Sequence, residues 1–324
     1  EGVILAGYAT NANYGYIFIR HGHDGPIERT KNAIKQAYEK GLLGDNILGS
    51  DFSFDMEVAL TGDSYVAGEE TALMEAIEGK RSMPRYRPPF PAQVGVFGKP
   101  TNINNVKSLS YVPEIIRNGG QWFSEIGYEQ SKGTAILCLS GALQFTGMIE
   151  VPMGLNLKDI LYEVAGGVSG DRNLKLVQTG GPLGGVVPLS EIENLNLDFQ
   201  EFTAKGFMLG HASVVSIPKD FPMAEYIHHL FEFSAEESCG KCFPGRLGSY
   251  RGKEMFDQAK KKTAKIPLKL LEELLVTMQK GCLCALCGAI PTPIQNILKY
   301  FGDEMKNDII MIIFLYMKQP NLGM

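Results

Sequence analysis

Two short runs of cysteine constrain this chain more than anything else in it. The first is Glu237-Ser238-Cys239-Gly240-Lys241-Cys242-Phe243-Pro244-Gly245-Arg246, and the second is Cys282-Leu283-Cys284-Ala285-Leu286-Cys287. Together they hold five of the six cysteines. Cys239 and Cys242 form a C-x-x-C pair, whose turn brings two sulfurs to one metal. Thiolates gathered in this way favour a soft metal, either zinc or an iron–sulfur cluster. A disulfide framework would spread its cysteines along the chain, so a reducing compartment and metal ligation are expected instead. Lys241 and Arg246 suit the charge of a thiolate-rich centre. One position breaks the pattern: a third cysteine would be natural three residues after Cys242, and Gly245 stands there. Cysteines without metal are the plain alternative, and spacing alone does not separate zinc from iron.

The 324 residues exceed what one ordinary core holds, so two or three domains are expected. Lys plus Arg total 31 against 36 for Asp plus Glu, a formal net charge of -5 that argues against nucleic acid as a partner. No segment reaches the roughly 18 apolar residues of a bilayer span, and the longest apolar run, 309–317, is about half of that. The start, Glu1-Gly2-Val3-Ile4-Leu5-Ala6-Gly7, has neither a basic stretch nor an initiator Met. It reads as the interior of a fold, with further residues expected upstream.

Along the first part of the chain, helix and strand signals alternate, as in an α/β layer structure. Val3 to Ala6 is helix-like, and Tyr16-Ile17-Phe18-Ile19-Arg20 reads as a buried strand. Residues 26–43 have a helical apolar stripe that opens at Pro26 and stops at Gly41. Residues 52–59 alternate as a strand, and 69–78 form a second helix. The segment 84–100 is rich in Pro and reads as an extended loop. From Pro100 a helix is expected to run to Ile116. Residues 133–187 change character, giving a β-hairpin, a short helix at 157–164 and a strand at 174–178, a small α+β module. Ala212 to Ile217 is one more strand, expected to belong to the first domain or its edge. Residues 223–233, 241–262, 268–279 and 294–301 are helical, and the tail 307–324 has no clear period.

Three other stretches carry polar side chains in suggestive order. In Tyr65-Val66-Ala67-Gly68-Glu69-Glu70-Thr71, a Gly precedes paired carboxylates at a strand-to-helix turn. A carboxylate there ordinarily caps the helix, but Tyr and Gly beside it would also let a flat ring approach the backbone. Asn102, Asn104 and Asn105 precede a helix and read first as caps. Their amides also suit a phosphate or the edge of a flavin ring. Gly180-Gly181-Pro182-Leu183-Gly184-Gly185 lacks the G-x-G-x-x-G spacing and reads as a turn.

These stretches, in this order, resemble the flavin- and NADH-binding subunit of respiratory complex I and its relatives in NAD-dependent hydrogenases and formate dehydrogenases. The matching runs are Tyr16–Arg20, Tyr65–Leu73, Arg87-Pro88-Pro89-Phe90-Pro91, Pro100–Val106, Glu237–Cys242 and Leu283–Leu286. The resemblance implies an α/β flavin/NADH domain at 1–125 and a small β-grasp module at 126–218 that returns to the first domain. A four-helix iron–sulfur domain at 219–306 and an irregular tail at 307–324 complete the expected order. It implies NADH, FMN and one [4Fe-4S] cluster as cofactors, with Tyr65, Gly68, Glu69, Glu70, Asn104 and Asn105 lining the flavin and nucleotide site. Cys239, Cys242 and Cys284 would be cluster ligands, with Cys287 or Cys282 available where Gly245 offers none. The family's Gly-rich flavin loop is expected upstream of Glu1. The implied partners are a thioredoxin-like [2Fe-2S] subunit and a larger iron–sulfur subunit. The implied place is the cytoplasm or an organelle matrix, peripheral to a membrane complex and with no span of its own. A docking scaffold without catalysis and a zinc-stabilised helical module are the alternatives.

Overall fold

The computed structural model describes residues 1–170 and 173–310. Its first unit is built on two parallel strands. Helix α1 (Gly2–Thr10) ends at Asn11, which takes the left-handed conformation, and leads into β1 (Tyr14–Arg20). Helix α2 (Asp24–Glu39) stops where the sequence places its stop, since Gly41 has φ of 67° and Leu42 N–H returns to the Ala37 carbonyl. Strand β2 (Asp55–Thr61) then pairs with β1 in parallel, from Tyr14 opposite Asp55 to Arg20 opposite Thr61. Phe54, Met56, Leu43 and Ile47 form the small core beneath this pair.

Helix α3 (Glu70–Ile77) follows β2 and anchors the Pro-rich segment. That segment is a strap without regular structure, as its composition indicates, and Arg85 fastens it. The Arg85 guanidinium pairs with Glu75, lies 2.8 Å from Glu78 Oε1 and donates to the Gly95 carbonyl at 3.0 Å. Lys80 Nζ and Phe97 N–H also donate to Glu78, each at 2.7 Å. Helix α4 (Val106–Asn118) packs on α1 and is capped by Asn105, whose side chain accepts from Lys107 N–H.

A mixed five-stranded sheet forms the next unit, with β3 (Thr134–Gly141), β4 (Gly147–Pro152), β5 (Leu174–Thr179), β6 (Val186–Pro188) and β7 (Val214–Pro218) in the order β4-β3-β7-β5-β6. Residues 157–164 supply the helical segment packed on it. The glycine run 180–185 is indeed the turn between β5 and β6. The strand expected in the first domain or at its edge is corrected here. Strand β7 lies in the middle of this sheet, parallel to β3 and antiparallel to β5. Ser216 and Ile217, which point to opposite faces, are both buried, and a strand covered on both faces belongs at a sheet's centre.

Four longer helices, α5 (Met223–Glu237), α6 (Ser249–Lys260), α7 (Leu268–Gly281) and α8 (Pro291–Phe301), complete the described chain, with a short helix at Ala285–Gly288 between the last two. The helix expected over 241–262 is shorter, because Cys239 to Cys242 form a loop and Pro244–Gly248 winds as one π-helical turn before α6. Gly252 lets α5 and α6 approach closely, since a Cβ there would stand 2.2 Å from the Phe231 ring. The helical core takes in Val66 and Ala72 from the first unit and Leu176, Val186 and Ile217 from the sheet. At the start of the tail, Ile309–Ile310 pairs in parallel with Ile266–Pro267, while 311–324 and most of the apolar run 309–317 lie outside the described residues. Among the described residues no helix is long and apolar enough to cross a membrane.

Burial works to raise the Glu78 carboxyl, but hydrogen bonds from Lys80, Arg85 and Phe97 outweigh it and hold the pKa down to about 2. A carboxylate depressed in the folded state stabilises above its unfolded pKa, and the stabilisation is lost as pH falls through the folded value. Glu78→Gln is therefore expected to cost on the order of 1–2 kcal/mol at pH 7, after allowance for solvent screening. It is also expected to flatten the fall in stability between about pH 4.5 and pH 2. Urea titrations across that range check both.

Candidate functional site

The turn after β2 and the loop after α5 meet at a seam built largely from contacts to backbone. Tyr65 N–H donates to Glu237 Oε2 at 3.0 Å, two residues before Cys239. The Tyr65 ring stands edge-on to Phe233, with centroids 5.0 Å apart. Arg81 donates to the Cys239 carbonyl at 3.4 Å. Lys241 Nζ donates to the Pro84 carbonyl at 2.6 Å and lies 5.1 Å from the centre of the Tyr86 ring. The strap and the first cysteine loop are therefore one mechanical unit.

Around this seam the thiols gather. All six cysteines are free. Cys239, Cys242, Cys282 and Cys284 are partly buried, and Cys287 is 3% exposed. Burial pushes the Cys284 thiol up to about 11, with the neighbouring thiols Cys287, Cys239 and Cys242 adding to the shift. Cys282 and Cys287 share a proton. The hydrogen bond to Cys287, and then burial, raise Cys282. The same bond, with the Ser234 and Ser238 hydroxyls, lowers Cys287 against the effect of burial.

Among the described residues no three Cys, His, Asp or Glu side chains converge on one point as a lone ion requires. A [4Fe-4S] cluster asks for something else, four thiolates standing around a volume, each on its own iron. The donor set fits that demand: clustered free thiols, apolar surroundings from Leu286, Leu275 and Met278, and cationic Lys241 and Arg246 in the first loop.

The flavin candidates divide into two places. Tyr65, Gly68, Glu69 and Glu70 share the turn that rests on α5. Open space surrounds the position where a Cβ would stand on Gly68, so a flat ring has access to that backbone. Glu69 does cap α3: its Oε2 accepts from Thr71 and Ala72 N–H, both at 2.9 Å. Its other oxygen lies 3.6 Å from Arg87, which also pairs with Glu70. Asn104 and Asn105 sit instead at the start of α4, where Asn105 is used as a cap and Asn104 is exposed. Among the described residues no hydrogen bond joins that corner to the Tyr65–Glu70 turn.

A cleft of about 540 Å³ was not foreseen from the sequence. It lies at the carboxyl end of β2, lined by Thr61 to Ser64, Lys80 to Ser82 and Glu236 to Cys239. Open α/β sheets bind ligands at that end of their strands. Thr61, Gly62 and Asp63 form one wall, and the facing walls come from residues far along the chain.

Two family models match this chain. Residues 225–308 match the NADH-ubiquinone oxidoreductase-F iron-sulfur binding region, and residues 1–114 match the Nuo51 FMN-binding domain. The chain is 39% identical over 305 residues to the NADP-reducing hydrogenase subunit HndC of Solidesulfovibrio fructosivorans, covering 94% of this chain and 62% of that protein. It is 38% identical over 311 residues to the F subunit of the NADH-quinone oxidoreductase of Rickettsia bellii, covering 95% of this chain and 75% of that protein. Among solved structures, an NAD+-reducing [NiFe]-hydrogenase in the H2-reduced state matches with a TM-score of 0.84 at 28% identity, over 95% of this chain and 51% of that one. The chain thus spans less than two thirds of the hydrogenase relative and about half of the solved chain.

The seam leads to a direct expectation. Lys241→Met removes the bond to Pro84 and the contact with Tyr86, and is expected to cost about 1–3 kcal/mol. Hydrogen exchange should rise together at 84–87 and 239–242. A rise confined to one side would show that the strap and the loop move independently.

Proposed function

Because this chain belongs to the family that holds the F subunits of NADH-quinone oxidoreductases, we propose that it is an electron-transfer subunit that oxidises NADH at a flavin and passes the electrons through a [4Fe-4S] cluster to a partner. The observation that carries this reading is the seam, where the Tyr65–Glu70 turn and the Cys239–Cys242 loop are hydrogen-bonded into one unit. A flavin held by that turn would stand beside a cluster held by that loop, which would suit short-range electron transfer.

When bound, FMN supplies the acceptor for a hydride and releases electrons singly. The chain's own residues position it. Tyr65, buttressed by Phe233, presents a ring edge, and Gly68 leaves backbone open to a planar ligand. Glu69 and Glu70 are held by Arg87, which keeps their charge in place beside the turn. Asn104 and Asn105 offer amides at the start of α4, where a helix end favours a phosphate. The cleft at the end of β2 brings Lys80 and Arg81 to the nucleotide side. Cys239, Cys242 and Cys284 would hold iron, with Cys239 and Cys284 packed against the apolar helical core. The relatives are named as subunits, which supports a place in a multi-subunit complex. The expected neighbours are a thioredoxin-like [2Fe-2S] subunit and a larger iron–sulfur subunit, in the cytoplasm or an organelle matrix.

The test is anaerobic reconstitution of the 324-residue chain with FMN, ferrous iron and sulfide. Flavin fluorescence should quench on binding. Tyr65→Ala should weaken FMN by about tenfold with iron content unchanged. Colourless protein carrying zinc, or an FMN affinity indifferent to Tyr65→Ala, would refute the reading.

A further inference from the structure

Gly245 stands where the cysteine pattern asks for a ligand, yet the space at Gly245 is not empty. A Cβ built on Gly245 would lie 3.0 Å from Cys242 Sγ, 3.2 Å from Cys287 Sγ and 3.4 Å from Cys287 Cβ. The nearest side chain after Cys242 is thus Cys287, which arrives from a different element 42 residues further on. Its sulfur also lies 3.8 Å from the Gly245 carbonyl. We propose that Cys287 is the fourth thiolate ligand of the cluster, supplying from the second cysteine run the sulfur that Gly245 does not supply from the first. This rests on the iron–sulfur reading above and decides which thiol completes it.

Three observations separate Cys287 from its rivals. Cys284 and Cys287 are three residues apart across the short helix Ala285–Gly288, so Cys284-Ala285-Leu286-Cys287 is a second C-x-x-C beside the first. Cys282 is not among the atoms nearest the position at Gly245; its Cβ stands instead over Gly288, at 3.5 Å.

The third observation is Ser234. This residue of α5 is fully buried, and its hydroxyl donates to Cys287 Sγ at 3.5 Å. A buried cysteine that served only as a small apolar filler would have no need of a buried hydroxyl aimed at its sulfur. A thiolate does need one, because a charged acceptor buried without donors is costly. Ser234 is then a positioning residue. Its hydrogen bond draws charge from the sulfur and stabilises the reduced, more negative cluster, raising the reduction potential. On ligation Cys287 loses its thiol proton to solvent and its sulfur bonds one iron, with no change of oxidation state required of the protein.

The experiment is anaerobic reconstitution of the full chain with ferrous iron and sulfide, read by iron and labile sulfide per chain and by the low-temperature electron paramagnetic resonance of the dithionite-reduced protein. The parent should hold about four irons. Cys287→Ala should lose at least one of them or the whole cluster, whereas Cys282→Ala should keep the parent's content and signal. The double exchange Gly245→Cys with Cys287→Gly moves the sulfur back to the first run and should restore four irons, which guards against simple misfolding of Cys287→Ala. Ser234→Ala should keep the iron and lower the midpoint potential. Parent-like iron content and signal in Cys287→Ala would overturn the assignment of Cys287 and leave the cluster reading standing. A parent chain that takes up no iron would overturn the cluster reading itself, and this assignment with it.

Discussion

The contact on which the rest of this structure depends is the ammonium of Lys241 held by the Pro84 carbonyl and the Tyr86 ring. It ties a cysteine loop to a strap that α3 in turn secures through Arg85, Glu75 and Glu78. Remove it and the thiols of Cys239 and Cys242 are left on a loop joined to the first unit by one long hydrogen bond from Arg81 and by the Tyr65–Glu237 bond. A charged donor on a backbone carbonyl is stronger than a neutral pair, so this one lysine sets the position of two candidate ligands.

The apolar core gives that contact its rigidity. The helical core is continuous with Val66 and Ala72 around the Tyr65–Glu70 turn, and with Leu176, Val186 and Ile217 in the sheet. Strand β7 matters here for a reason its sequence alone did not disclose. Being central and buried on both faces, it joins the sheet to α5 through Pro218 and the turn that follows. α5 then carries, within one helix, Phe233 against Tyr65, Ser234 against Cys287 and Glu237 against the Tyr65 N–H. One helix therefore registers the Tyr65–Glu70 turn and the cysteine pocket together.

Much of this was legible beforehand. The stop at Gly41, the capping by Glu69 and Asn105, the irregular strap and the turn at 180–185 follow from local rules of backbone and side chain, and the structure has them. What escaped were features made by distant partners. The cleft at the end of β2 has walls from residues near 62, 80 and 237. The place of β7 depends on which strands flank it, which a five-residue apolar run does not encode.

The cysteine runs show the same division. The sequence by itself determined the chemistry: five thiols in two short runs, a C-x-x-C, adjacent cations, and one glycine out of pattern. Those are properties of residue type and spacing, which survive any fold. It left open whether Cys282 or Cys287 stands opposite Gly245. Only the packing of the Ala285–Gly288 helix against the π-turn at Pro244–Gly248 decided that, because it brings Cys287 Sγ to within 3.2 Å of the position a Gly245 side chain would begin to fill. Cys282 and Cys287 sit in the same six-residue run, so their distance along the chain from Gly245 cannot tell them apart.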